Sequence, residues 1–169
     1  MLGTLHTRTD GRFELRFERR LAHPVEKVWR ALTDPEHLRA WFPASVDLDL
    51  TPGAKLRFEL VPEAQARLGI SDDDMTSYGE MTTVDPPRLL EYTWSGEILR
   101  WELEPTADGC RLRFTDVFDD RAVAADDGAG WHVALEALSS ALDDRDVDRL
   151  ALFDRADEMS KTYACGFGR

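Results

Sequence analysis

The segment that most constrains the fold runs from Leu21 to Pro43, LAHPVEKVWRALTDPEHLRAWFP, and directly follows an alternating strand. Pro24 and Pro35 each stand at the first position of a predicted helix, where the missing N–H costs nothing. Apolar residues follow each proline at helical spacing, and Pro43 ends the second helix. The segment therefore predicts a strand that leads into two short helices.

Alternation of apolar and charged residues predicts an antiparallel sheet of about seven strands. The first strand places Phe13, Leu15 and Phe17 on one face and charged residues on the other, which is typical of a half-buried strand. Turn signals separate the later strands. The predicted strands cover residues 12–21, 46–50, 55–60, 78–84, 89–94, 98–103 and 110–118, with turns at Pro52-Gly53, Ser95-Gly96 and Asp108-Gly109.

A long helix is predicted after the sheet, over residues 122–144. On a helical wheel, His132 and Glu136 fall on the flank opposite the apolar residues. We expect them to form a solvent-facing pair rather than to supply a general base. The apolar stripe consists of Trp131, Leu135, Leu138 and Leu142.

The remaining segments complete a single predicted domain over residues 1–169. Residues 147–163 predict a further amphipathic helix, and residues 1–11 and 165–169 are expected to be tails. Residues 61–77 are too long for a tight hairpin, and a partly helical flap is the prediction there.

Charge and cysteine content exclude several classes of protein. A formal net charge of −12 argues against binding of nucleic acid or of an anionic membrane surface. Cys110 and Cys165 fit no metal-ligand spacing, and the histidines supply none either, so we expect no metal and no cofactor. The N-terminus lacks the apolar core of a signal peptide, and a cytoplasmic location is predicted.

Four motifs carry a resemblance to a known family: FERRLAHPVEKVWRALTDPEHLRAWFP, TPGAKLRFEL, VDPPRLLEYTW and GAGWHVALEALSSAL. They resemble the bacterial branch of the heat-shock-protein-90 ATPase activator-like family, within the START and Bet v 1-like (SRPBCC) superfamily. The resemblance covers roughly residues 12–167. It implies an α+β helix-grip fold, in which a curved antiparallel sheet surrounds a long C-terminal helix with an apolar cavity between them. The chaperone-stimulating N-terminal domain of the eukaryotic activator has no counterpart here, so the chaperone role is not transferred.

Aromatic residues are the candidate ligand-binding set, although aromatics also dominate ordinary cores. Trp94 and Trp101 lie on adjacent strands of one hairpin and are the best candidates. Trp29 shares an apolar stripe and is expected in the core, whereas Trp41 is expected near a cavity mouth. The full candidate set is Trp41, Phe58, Trp94, Trp101, Phe114, Trp131 and Leu135.

Three functions remain open from the sequence. The leading hypothesis is a non-catalytic module that binds a small apolar or amphipathic ligand between sheet and long helix. A cyclase- or hydrolase-like enzyme would instead need an inward carboxyl group with a raised pKa, for which Glu80, Glu91 and Asp116 are candidates, although solvated positions are expected for them. The third hypothesis is protein interaction, as a homodimer or in contact with a chaperone.

Overall fold

The computed structural model describes residues 1–168 and shows an α+β helix-grip fold. Eight antiparallel strands form one sheet in the order β1-β2-β8-β7-β6-β5-β4-β3. The sheet curves around a long helix, which confirms the predicted fold class. The strands are β1 (Thr4–Thr7), β2 (Phe13–Leu21), β3 (Ala44–Val46), β4 (Lys55–Leu60), β5 (Thr76–Asp85), β6 (Leu89–Trp94), β7 (Glu97–Thr106) and β8 (Gly109–Phe118).

Five helices accompany the sheet. The two predicted short helices lie between β2 and β3, and the indole N–H of Trp41 donates to the carbonyl of Ala31 across 2.9 Å, which joins them. Asp34 caps the second of these helices by accepting from the N–H of Glu36. The helices are α1 (Val25–Thr33), α2 (Pro35–Trp41), α3 (Pro62–Leu68), α4 (Ala124–Leu142) and α5 (Arg149–Phe167).

Helix α4 buries its predicted apolar stripe against the sheet. Trp131, Leu135, Leu138 and Leu142 are each at most 7% exposed. They meet inward side chains of the strands, which alternate with outward charged residues because successive strand side chains point to opposite faces. The core therefore occupies the space between the curved sheet and α4.

The N-terminal tail prediction is wrong in part, because residues 4–7 form β1. Leu5 pairs with Leu15 of β2, and the N–H of Gly3 donates to the hydroxyl of Tyr163 at 2.8 Å. A strand of four residues at the sheet edge is too short for an alternating pattern of apolar and polar residues to identify it in the sequence. At the other end, α5 continues to Phe167 rather than ending at 163, and Arg169 lies outside the described residues.

The strand predicted over residues 46–50 is also corrected. β3 ends at Val46, and residues 47–50 take no part in the ladder with β4. Leu48 is nevertheless buried. The alternation of apolar and acidic residues over 46–50 therefore reflects the burial of Leu48 and not pairing with a neighbouring strand. The predicted flap over residues 61–77 contains α3 and a turn of 3-10 helix at Asp72–Asp74 before β5 begins.

The expected solvent-facing position of His132 is wrong. His132 is 6% exposed, because α5 packs over this flank of α4. Its Nδ1 lies 2.9 Å from the hydroxyl of Tyr163, and its Nε2 lies 3.2 Å from Glu136, which also pairs with Arg155. The predicted His–Glu pair exists within α4, and its contacts with Tyr163 and Arg155 join α4 to α5.

Candidate functional site

The candidate site begins at the tight turn between β6 and β7. Ser95 and Gly96 form this turn with positive φ angles of 51° and 90°, as the Ser-Gly signal predicts. The turn makes Trp94 and Glu97 the last paired residues of the two strands, directly opposite one another. Directly opposite residues share a face of the sheet, and here that face is the one that α4 covers.

The N-terminal half of α4 lies across this end of the sheet and encloses a cleft of about 270 Å³. Trp94 and Trp131 form an aromatic corner, with ring centroids 6.3 Å apart and planes at 76°. The acidic residues of the cleft come from both elements, Glu97 from β7 and Asp127 from α4. The complete lining is Pro43, Trp94, Ser95, Glu97, Asp126, Asp127, Gly130 and Trp131.

Asp116 of β8 is buried beside this cleft. Its side chain is fully shielded from solvent, and its Oδ2 accepts from the indole N–H of Trp131 at 2.9 Å. Its Oδ1 has no hydrogen-bond partner. Burial, reinforced by the nearby charges of Glu97 and Asp127, holds the pKa of Asp116 well above its ordinary value.

The other two carboxyl groups also titrate abnormally. Burial raises the pKa of Glu97 to about 7, and the charge of Asp127 adds to the effect. Burial, with help from Asp126, raises the pKa of Asp127 to about 6. Arg12 opposes the shifts at Glu97 and Asp116, and its guanidinium is engaged by Asp119 and the carbonyl of Gly96.

Two carboxyl groups with raised pKa values, Glu97 and Asp127, therefore line a cleft with tryptophan walls, and a third, Asp116, is buried behind Trp131. Near neutral pH Glu97 and Asp127 can accept or donate a proton, and each can hold a polar group of a ligand. The aromatic corner offers an apolar surface and π faces beside them. The cleft can accordingly bind a molecule that is part apolar and part polar.

A second, apolar cavity of about 110 Å³ adjoins the cleft at Gly130 of α4. It lies between α4 and α5, with Trp41 and Val61 at its other walls. Gly130 and Pro43 line both cavities. The lining is Trp41, Pro43, Val61, Gly130, Val133, Ala134, Arg149, Leu152, Phe153 and Ala156.

The structure distributes the candidate aromatic residues between these cavities and the core. Trp94 and Trp131 line the acidic cleft, and Trp41 lines the apolar cavity. Two close stacks fill the interior behind them, one between Phe58 and Trp94 at 4.8 Å and the other between Trp101 and Phe114 at 4.0 Å. The fully buried members of the set are Trp41, Phe58, Trp101, Phe114 and Leu135.

Sequence reasoning missed Glu97 and Asp127 and misjudged Asp116. Glu97 lies two residues before Leu99 and four before Trp101, so strand alternation places it on the same inward face. Asp127 lies one helical turn before Trp131 and therefore on the same side of the helix. The sequence thus contained a pattern that could have identified each residue. The expectation of a solvated position is wrong for Asp116, which is fully buried.

The other two candidate strand carboxylates lie away from the cleft. Glu80 pairs with Lys55, and Glu91 accepts from Arg100 at 3.0 Å and from the Thr82 hydroxyl at 3.0 Å. Paired carboxylates of this kind need no further partner.

Other features of the described chain are less suited to a ligand. A wider, open groove of about 620 Å³ lies at the other end of β7, among turn residues such as Pro24, Arg88 and Asp108. Across residues 1–168, no cluster of three or more His, Cys, Asp or Glu side chains has the arrangement of a metal site. None of the described helices is both long and apolar enough to cross a membrane.

A curved antiparallel sheet that grips a long helix, with a cleft at one end of the grip, defines the helix-grip class of START and Bet v 1-like proteins. Residues 22–143 match the model of the family described as "Activator of Hsp90 ATPase homolog 1-like protein". The chain belongs to this family. Comparison with curated proteins gave no significant match.

Solved structures share the fold at low sequence identity. A Bordetella parapertussis protein, encoded by gene BPP1335, is 28% identical with a TM-score of 0.72 and covers 89% of this chain and 84% of its own. CalU16 from Micromonospora echinospora is 21% identical with a TM-score of 0.68, covering 96% and 94%. DynU16, a protein in the dynemicin biosynthetic locus, is 26% identical with a TM-score of 0.63, and the match spans 77% of this chain but 47% of that one.

Proposed function

We propose that the protein binds a small amphipathic molecule in the acidic cleft between the β6–β7 turn and α4. The observation that carries the proposal is that Glu97 and Asp127 line a cleft with tryptophan walls, with the carboxyl of Asp116 buried behind Trp131. Keeping an unpartnered carboxyl oxygen out of water is costly, and a buried polar atom without a partner calls for an explanation. Oδ2 of Asp127, which lines the cleft, has no partner among the described residues, and a polar group of a ligand bound there supplies one.

The packed interior favours a ligand site at the β6–β7 turn over one in the middle of the space between the sheet and α4. Trp101, Phe114 and Phe58 occupy the space between sheet and helix, with almost no exposed surface. Close packing of this kind leaves little room for a ligand unless side chains move. The cleft at Trp94 and Trp131, in contrast, is already open to solvent.

Native mass spectrometry of protein isolated from its own host tests the proposal. We expect a retained small molecule that Glu97→Leu loses, because the variant removes a carboxyl from the cleft. Glu80→Leu is the matched control, since Glu80 is also a strand glutamate but pairs with Lys55 away from the cleft. Equal retention by both variants, or no retained molecule in the wild-type protein, would contradict the proposal.

Acid–base catalysis is a second candidate, supported by the pKa of Glu97 near 7 and that of Asp127 near 6. Groups that titrate near the working pH are suited to proton transfer, and the neighbouring biosynthetic-locus protein shares this fold. The test is conversion of the molecule retrieved by mass spectrometry. Catalysis requires that Glu97→Gln or Asp116→Asn abolish conversion while binding persists, and an unchanged molecule after incubation with wild-type protein excludes it.

A further inference from the structure

Two glycines two residues apart in α4 have different reasons to be glycine. A glycine in a helix interior costs about 0.5–1 kcal/mol relative to alanine, so each calls for a structural cause. At Gly128 the cause is packing, since a Cβ there would lie 3.2 Å from the ring of Tyr163. At Gly130 a Cβ would meet nothing within 4 Å, so packing within the protein does not require glycine.

Gly130 lies where the two cavities meet. It lines the acidic cleft on one side and the apolar cavity on the other, and Pro43 is the other residue that lines both. A side chain at position 130 would project into this open space. The α4 residues that line the two cavities share one face of the helix, and the exposed glycine thus leaves an open passage along that face, between a polar and an apolar compartment.

The apolar cavity suits a short hydrocarbon group. Its volume of about 110 Å³ is somewhat smaller than the ~150 Å³ of an engineered cavity that binds benzene. Its one charged wall residue, Arg149, directs its guanidinium to the carbonyls of Phe42 and Arg39. The walls contributed by Leu152, Phe153 and Ala156 are apolar and only half-buried, as expected of a site that can take up a ligand.

The acidic cleft suits a positively charged group. Glu97, Asp126 and Asp127 line it and Asp116 lies behind, while Arg12 is already engaged by Asp119 and by backbone carbonyls. A cation relieves the repulsion between these carboxylates. Trp94 and Trp131 line the same cleft, and indole is the best of the aromatic partners for a cation.

We infer that the ligand is an organic amine with a short alkyl or aryl tail, which lies across Gly130 with its cationic nitrogen in the acidic cleft and its tail in the apolar cavity. The inference rests on the proposed function and adds the ligand class and its orientation. The formal net charge of −12 further favours encounter with a cation.

The test uses hexylamine, hexanol and hexanoate, which share a tail and differ in head group. Binding is followed by NMR through the indole N–H of Trp131, at the acidic end, and that of Trp41, at the apolar end. We expect hexylamine to shift both signals with one dissociation constant, at least ten-fold lower than that of hexanol, and hexanoate to bind most weakly. Gly130→Leu should weaken hexylamine at least ten-fold, since the new side chain fills the passage.

Gly166→Leu is the matched control, because Gly166 is also in a helix and a Cβ there meets nothing within 4 Å. It should leave binding of hexylamine unchanged.

Equal binding of hexanol or hexanoate overturns the choice of a cation, and a shift of the Trp131 signal alone overturns the spanning orientation. In both of these outcomes the cleft still binds a ligand and the proposed function stands. If none of the three probes shifts either signal, the inference fails; the proposed function fails with it only if mass spectrometry also finds no retained molecule.

Discussion

The indole N–H of Trp131 donates to Oδ2 of Asp116 across 2.9 Å, and both side chains are buried. This hydrogen bond joins α4 to β8 at the floor of the acidic cleft. The other oxygen of the same carboxyl has no partner. One contact thus positions a wall of the cleft and holds an acid that water does not reach.

Removing only the indole donor of Trp131 should lower the free energy of unfolding more than removing both the donor and the carboxyl of Asp116. Trp131→Phe leaves Asp116 with no hydrogen-bond partner, and we expect a loss of roughly 1–3 kcal/mol in the free energy of unfolding. Adding Asp116→Leu should recover part of that loss, because two apolar groups need no hydrogen bond. Urea unfolding of the single and double variants measures this, and a double variant less stable than Trp131→Phe would contradict it.

The stability should depend on pH through Asp116. Because its pKa is higher in the folded protein than in the unfolded chain, the folded state binds the proton more tightly, and stability falls as pH rises above about 4. Asp116→Asn keeps an oxygen for Trp131 and cannot ionise. Relative to wild type, it should gain about 1 kcal/mol or more between pH 4 and pH 8.

Thermal unfolding of both proteins across this range gives the comparison. Glu97, with a pKa of about 7, and Asp127, with a pKa of about 6, face Asp116, and their ionisation also lowers the stability of the wild-type protein as pH rises. Arg12 has the opposite effect at Glu97 and Asp116. The difference between the two curves reports the ionisation of Asp116 together with its coupling to these neighbours. Asp73→Asn, on an exposed turn, should give a curve parallel to wild type.

Alanine at the two glycines of α4 should act in opposite directions. Gly128→Ala brings a Cβ within 3.2 Å of Tyr163 and should destabilise by about 1–3 kcal/mol. Gly130→Ala meets open space and should stabilise by about 0.5–1 kcal/mol through helix propensity. Chemical denaturation measures both, and a destabilised Gly130→Ala would show that a packing constraint exists there.

Tyr163→Phe should loosen α5 from the body. Its hydroxyl accepts the N–H of Gly3 and donates to Nδ1 of His132, so Nε2 of the neutral imidazole carries the proton toward Glu136. The loss of two buried contacts should cost roughly 1–3 kcal/mol. Tyr78→Phe, at an exposed position, should change stability by less than about 0.5 kcal/mol in the same unfolding assay.

The same contacts predict a loss of stability in acid. Burial, with Arg19, lowers the pKa of His132 in the folded protein, so the stabilising effect of the neutral imidazole is present above the unfolded pKa of about 6.5 and is lost as pH falls. Glu136 opposes this shift. Tyr163→Phe should therefore change the slope of stability against pH below about 6.5, and an unchanged slope would assign the tyrosine to packing alone.

The strands and helices were predictable where local pattern alone decides them. Leu15 and Phe17 are inward because strand alternation requires it, and Pro35 begins α2 because proline suits that position. The burial of His132 was not predictable, since a helical wheel shows two faces of α4 without showing that α5 covers the second. Asp116 shows the same limit, because its meeting with Glu97 and Asp127 depends on how α4 sits across two strands.

Helix α5 follows the residues 22–143 that match the family model, yet it supplies Leu152, Phe153 and Ala156 to the apolar cavity. The acidic cleft is built from residues inside the matched range. Other walls of the apolar cavity, Trp41 and Val133 among them, also lie inside that range. A change confined to α5 therefore reshapes one side of the tail compartment and leaves the head-group compartment, the sheet and the Trp131–Asp116 contact as they are.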